Sequence, residues 1–240
     1  MRKTFKRLRN ILLSPFILSD YTTFRNADSS GRFTLSLKDA YPQILDKTLQ
    51  TGFDRHYVYH TSWAARVLAE TRPERHVDIS SSLYFSGIVS AFVPVAFYDY
   101  RPADLALDGF SSSAADLMEL PFPDRSVPSL SCMHTVEHVG LGRYGDPIDP
   151  EGDTRAAREL SRVLAPGGSL LFVVPMGREA RIEFNAHRIY SYDQVMALFP
   201  DLTLAEFSLI PEYAGPLIRN ADPRLLEDES YACGCFRFTR

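Results

Sequence analysis

Asp78 is the first residue whose setting suggests chemistry. It sits at the end of a short apolar run, next to last in His76–Ile79, and Ser80-Ser81-Ser82 then leads into a second apolar stretch. In an open parallel sheet, ligands bind beyond the carboxyl ends of the strands, where helix N-termini present free N–H groups. A serine run there supplies caps and hydroxyl donors. Asp99 closes the next apolar run, at the distance of about 20 residues from which an acid reaches a ribose. Asp116-Leu117 then precedes Leu120-Pro121-Phe122-Pro123-Asp124, and an aspartate there can receive an adenine amino group. Three acids at three successive strand ends point to a nucleoside site more specifically than any one of them.

A second group supplies proton chemistry. Glu137-His138 follows an apolar strand, and Glu183, Asn185, His187 and Arg188 follow another. A histidine beside a carboxylate can take a hydroxyl proton near neutral pH. Between the groups, 140–152 is rich in Gly, Pro and Asp and should overhang the site. Its Arg143, Tyr144 and Asp146 suit a phosphorylated or polyhydroxylated ligand. His134-Thr135-Val136-Glu137-His138 also spells a zinc-protease signature, but the glycine at 140 leaves no room for the helix that chemistry requires. Cys233-Gly234-Cys235 is read as part of a strand, so no metal site is expected.

Two segments resemble the class I S-adenosylmethionine-dependent methyltransferases: Asp116 through Asp124 with Thr135-Val136-Glu137-His138-Val139, and Glu159 through Gly168 with its Pro166-Gly167-Gly168 turn. Gly140 through Pro147 and Phe184-Asn185-Ala186-His187-Arg188 are most similar to a branch associated with bacterial surface-polysaccharide genes. The resemblance spans roughly 76–240. It implies that S-adenosylmethionine is held by Asp78, Ser80, Ser82, Asp99, Asp116 and Leu117. Arg143, Tyr144, Asp146, Glu183, Asn185 and Arg188 would hold a small sugar-derived or nucleotide-linked acceptor, with His138 or His187 as base and Glu137 orienting His138. The family's first loop has glycine where this chain has Ser80, Ser82 and Tyr84. Tyr84 is large enough to fill the cofactor space, and the acid that opens the family's fourth strand is missing near Pro128-Ser129. The same residues therefore also admit two other readings: a non-methylating enzyme, such as one isomerising a nucleotide sugar, or a non-catalytic binding protein.

The elements that must position these residues follow from periodicity. Helices are expected over 37–49, 62–70 with Thr61 or Ser62 as cap, 83–92, 154–164 and 192–199. Strands are expected at 76–79, 95–98, 130–133 and 169–174, with an antiparallel closing pair at 202–209 and 231–238. Strand–helix alternation predicts a Rossmann-like three-layer sandwich, a mostly parallel seven-stranded sheet with an antiparallel last strand. Residues 1–75 would form a basic segment and helical cap, with a polar loop over 20–32, and 76–240 the main domain.

Composition fits that reading. Hydrophobic residues make up 45% of the chain, enough for a sizeable core. The net charge of −4 argues against nucleic acid as a partner. Three cysteines suit a reducing cytoplasm. Arg2, Lys3, Lys6, Arg7 and Arg9, followed by Phe16, Ile17 and Leu18, could meet an anionic membrane surface or pack as an amphipathic helix.

Overall fold

The computed structural model describes residues 14–43 and 46–240. The basic run at the N-terminus lies outside them. No described helix is long and apolar enough to cross a membrane.

The chain divides into two units at Phe53/Asp54. In the first, helix α1 (Ser14–Ala27) runs through 20–27 of the 20–32 segment expected to be loop. Its polar and apolar residues are mixed all round, so no period marked it. Among the described residues of 37–49, where a helix is expected, the structure has one 3-10 turn, Leu37–Asp39. Pro42 lacks the N–H a helix would need there, and Leu37, Tyr41 and Leu49 are exposed. Residues 44 and 45, expected to face inward, lie outside the described residues.

The second unit opens with α2 (Arg55–Thr71). Its cap is Asp54, which accepts from the Tyr57 N–H at 3.1 Å, not Thr61 or Ser62. The helix starts early because His56 and His60 extend the buried stripe of Trp63, Val67 and Leu68 back by two turns. There follow β1 (His76–Ile79), α3 (Leu83–Val89), β2 (Val95–Asp99), β3 (Phe110–Ala114), β4 (Val127–Met133), α4 (Gly152–Val163), β5 (Leu164–Met176), a hairpin of β6 (Arg181–Glu183) and β7 (His187–Ile189), α5 (Tyr192–Leu198), β8 (Thr203–Ile210) and β9 (Ala232–Thr239). The Pro166-Gly167-Gly168 turn sits inside the long β5, with Gly167 at φ +73°.

Seven strands form one sheet in the order β3-β2-β1-β4-β5-β9-β8. Pairs from β3 to β5 are parallel. Strand β9 runs antiparallel between β5 and β8. Along β5, Leu170, Phe172 and Val174 pack on one face and Leu171 and Val173 on the other. This period of two on a strand buried on both sides is what a three-layer sandwich demands. Strand order reverses between β1 and β4, which places a crevice at their carboxyl ends.

Candidate active site

That crevice holds a cavity of about 200 Å³ lined by residues that follow β1, β2, β3 and β4. Ser80, Asp99, Asp116 and Leu117 all face it, as the strand-end reading requires, together with Tyr100, Arg101 and Thr135. Ser80 has φ +55°, the left-handed conformation that favours glycine, and its hydroxyl donates to the Tyr98 carbonyl at 3.2 Å. The backbone path of a glycine is thus kept by a serine. Tyr84 is 87% exposed and is not among the lining residues, so it does not fill the space. Asp99 and Asp116 each spend one oxygen on a backbone N–H two residues on, those of Arg101 at 2.7 Å and Met118 at 2.8 Å.

Asp78 stands behind the cavity and does not face it. It is fully buried and accepts from the hydroxyls of Ser131, at 2.5 Å, and Ser86. Ser131 in turn meets Nε2 of buried His76 at 2.8 Å, and Ser129 meets its Nδ1 at 2.8 Å. Burial pushes the Asp78 carboxyl up to about 6 and the His76 imidazole down to about 3. Ser82 is the N-cap of α3 and makes no side-chain cap bond. The Met133 N–H donates to Ser81 at 3.1 Å.

A second cavity, about 590 Å³, shares His134, His138 and Tyr144 with the first. Its wall is aromatic: His56, Tyr57, His187 and Tyr231 join the shared residues, with Arg55 and Arg143 at hand. His138 receives its orientation from the hairpin. Its Nδ1 lies 2.7 Å from the Ala186 carbonyl, which also accepts from Arg143 at 2.8 Å. A proton on Nδ1 leaves the lone pair on Nε2, which has Arg143 Nη1 at 3.5 Å. Burial lowers the basicity of His138, opposed by nearby Glu137. Two guanidinium groups lie over the Tyr144 ring, Arg101 at 4.9 Å and Arg143 at 5.1 Å from its centre.

The remaining expected residues divide. His187 lines the second cavity, stacked on Tyr231 and 3.3 Å from the Glu183 carboxylate. Asp146 lines the first cavity but mainly orders its own loop, accepting the N–H groups of Gly140 at 2.8 Å and Tyr144 at 3.1 Å. Glu183 and Asn185 are exposed on the hairpin and line neither cavity. Arg188 is buried instead of facing a ligand: it donates to the Val139 carbonyl at 2.7 Å and lies 3.5 Å from Asp153, clamping the 139–150 loop. Glu137 is buried, with one oxygen 2.9 Å from His134 Nδ1 and 3.7 Å from His138 Nε2. Its hydrogen bond therefore orients His134 more than His138. Burial pushes its carboxyl up to about 7.

His56, Tyr57, Arg101, His134 and Tyr231 had no part in the sequence-based site. The pairing of His56 and His60 with Trp63 at helical spacing was a usable signal for α2. Nothing local marks Tyr231, which reaches the site only because β9 inserts beside β5.

A family model described as "Caenorhabditis protein of unknown function, DUF268" matches residues 126–217, less than half of the chain. No curated protein matches. Among solved structures, the N-methyltransferase NodS from Bradyrhizobium japonicum WM9, in complex with S-adenosyl-l-homocysteine, is similar at 15% identity with a TM-score of 0.53, over 75% of this chain and 84% of that one. The 1,6-didemethyltoxoflavin-N1-methyltransferase of Burkholderia thailandensis is similar at 12% identity and the same TM-score of 0.53, over 75% of this chain and 79% of that one. These likenesses establish the fold: a Rossmann-like sheet of the class I methyltransferase kind.

Proposed function

We propose that the chain is an S-adenosylmethionine-dependent methyltransferase that methylates an oxygen or nitrogen of a small, sugar-derived acceptor. The observation that carries this reading is the pair of adjoining cavities. One is lined by Ser80, Asp99 and Asp116 at the switch point, and the other shares His138 with it. Ser80 keeps the glycine-like path and Tyr84 points away, so the residues present fit the donor. Asp99 would hold its ribose, Asp116 with Leu117 its adenine, and the backbone at Ser80 its methionine end. When bound, S-adenosylmethionine supplies an electrophilic methyl group on a sulfonium.

The chain's own part is positioning and proton removal. Arg143, Tyr144 and His187 hold the acceptor in the second cavity, which brings its nucleophile to the boundary between the two. His138, with Nδ1 donated to Ala186, takes the acceptor proton at Nε2. The sugar-derived acceptor, from surface-polysaccharide synthesis in the cytoplasm, rests on the motifs at 140–147 and 184–188, and the Arg55, Arg143 and Glu212 side chains among the aromatic residues of the second cavity suit its hydroxyls.

Calorimetric titration with S-adenosylmethionine and with its demethylated product tests the reading. Micromolar binding of both is expected, weakened about tenfold or more in Asp99→Ala, since a hydrogen bond to a charged group contributes about 1.5–3 kcal/mol. No binding of either by folded protein overturns it and turns the search to nucleotide sugars.

A further inference from the structure

Below the second cavity, three buried side chains from three separate elements converge. His56 comes from the first turn of α2, His134 from just beyond β4, and Cys233 from the start of β9. One nitrogen from each histidine and the sulfur all lie within 4.8 Å of one another. His134 Nε2 is 3.4 Å from Cys233 Sγ. A tetrahedral zinc ion with its usual bond lengths to sulfur and nitrogen spans an N–S edge of about 3.5 Å. That edge is already in place.

The surroundings are those of a metal ligand set. The other nitrogen of His134 lies 2.9 Å from the buried carboxylate of Glu137. A carboxylate on the far side of a ligating imidazole fixes its tautomer and aims the remaining lone pair at the ion. His56, stacked on Tyr231 with ring centroids 5.0 Å apart, carries a nitrogen within 4.8 Å of the other two ligand atoms. Two imidazoles and a thiolate form a borderline-soft set that suits zinc. Both histidines line the second cavity and Cys233 does not, so a fourth position opens on the cavity side. Neither sequence signal for metal foresaw this set. The 3-10 turn Val136–His138 cannot present the protease pair, and Cys233 acts without Cys235.

We propose that His56, His134 and Cys233 bind one zinc ion, with Glu137 as the positioning residue behind His134. The fourth position takes water or an oxygen or nitrogen of the molecule in the second cavity. The centre stands on its own geometry and does not depend on methyl transfer.

Zinc is spectroscopically silent, so cobalt(II) is the probe. Full-length protein is stripped with a chelator and titrated with cobalt(II), with folding checked by circular dichroism. One equivalent should bind, with a thiolate-to-cobalt charge-transfer band and the strong visible absorption of a tetrahedral site, and zinc should displace it. Cys233→Ser should abolish the charge-transfer band, while Cys132→Ser and Cys235→Ser keep it. Glu137→Gln should weaken binding about 10- to 100-fold without shifting the band. A folded wild-type protein with no such band, or a band that survives Cys233→Ser, overturns the proposal.

Discussion

At the scale of single residues, the buried chain Ser129–His76–Ser131–Asp78–Ser86 shows how a charged group is kept behind a ligand cavity. Its two titratable members shift in opposite senses. Asp78 rises from 3.8 to about 6, so the folded state holds a proton that the unfolded chain gives up. His76 falls from 6.5 to about 3, so the unfolded chain holds a proton that the folded state refuses. Between pH 4 and 6 the two states bind the same number, and the pair contributes no slope to stability. Each single substitution should unmask the other member. In Asp78→Asn only His76 remains, and stability should rise with pH from about 4 to 6.5, by about 1.4 kcal/mol per unit. In His76→Gln only Asp78 remains, and stability should fall by a similar slope as pH rises from about 4 to 6. Urea denaturation from pH 4 to 7, each variant minus wild type, measures both slopes. Curves parallel to the wild type would show that these groups are not shifted. The sequence placed Asp78 correctly at a strand end, but it could not show which way the carboxylate points. That depends on Ser131 and Ser86, which other elements bring in.

At the scale of elements, α2 matters because its first turn delivers His56 and Tyr57 to the second cavity. It is tied to β8 through a buried carboxylate. Glu206 accepts from Trp63 Nε1 at 2.9 Å, from the Ser208 hydroxyl at 2.6 Å and from Arg219 at 2.8 Å. Burial works against its charge, yet Arg219, Ser208 and Trp63 together hold its carboxyl down at about 2. Glu206→Ala should cost about 2–4 kcal/mol, because it strands an indole N–H and breaks a partly buried ion pair. Glu206→Gln, which keeps an acceptor for Trp63, should cost less. The urea midpoints of the two variants give the comparison, and equal losses would assign the effect to the charge alone. The elements themselves were unevenly legible. Runs such as 76–79 and 169–174 were plain from their apolar residues. Strand β3 was not, because Phe110-Ser111-Ser112-Ser113-Ala114 has almost no apolar pattern and pairs only at the sheet edge. The β6–β7 hairpin, with three residues per strand, escaped for the same reason, although its Ala186 carbonyl orients His138.

At the scale of the whole molecule, the sheet order and its antiparallel β9 agree with the alternation of apolar runs, whereas the described residues before Asp54 do not behave as the pattern suggested. Tertiary context explains the difference. Apolar residues in the second unit are fixed by neighbours on both faces of the sheet. Those of the first unit, such as Phe33 and Tyr41, are left exposed at 78% and 80%. Every buried residue among those described lies at or after His56, and both apolar clusters draw only on residues from Trp63 to Phe238. The folding unit therefore begins with the Asp54 cap of α2. A chain of residues 54–240 should fold cooperatively, with the urea midpoint of the full chain. The slope of its transition, which scales with the surface exposed on unfolding, should be nearly unchanged. A chain starting at His76, which omits α2, should lose Trp63, Ala64, Val67 and Leu68 from the second cluster and unfold at much lower urea or fail to fold. A midpoint for 54–240 well below that of the full chain would mean that the first unit supplies stability its exposed residues give no sign of. The two truncations together separate a boundary at Asp54 from one at His76.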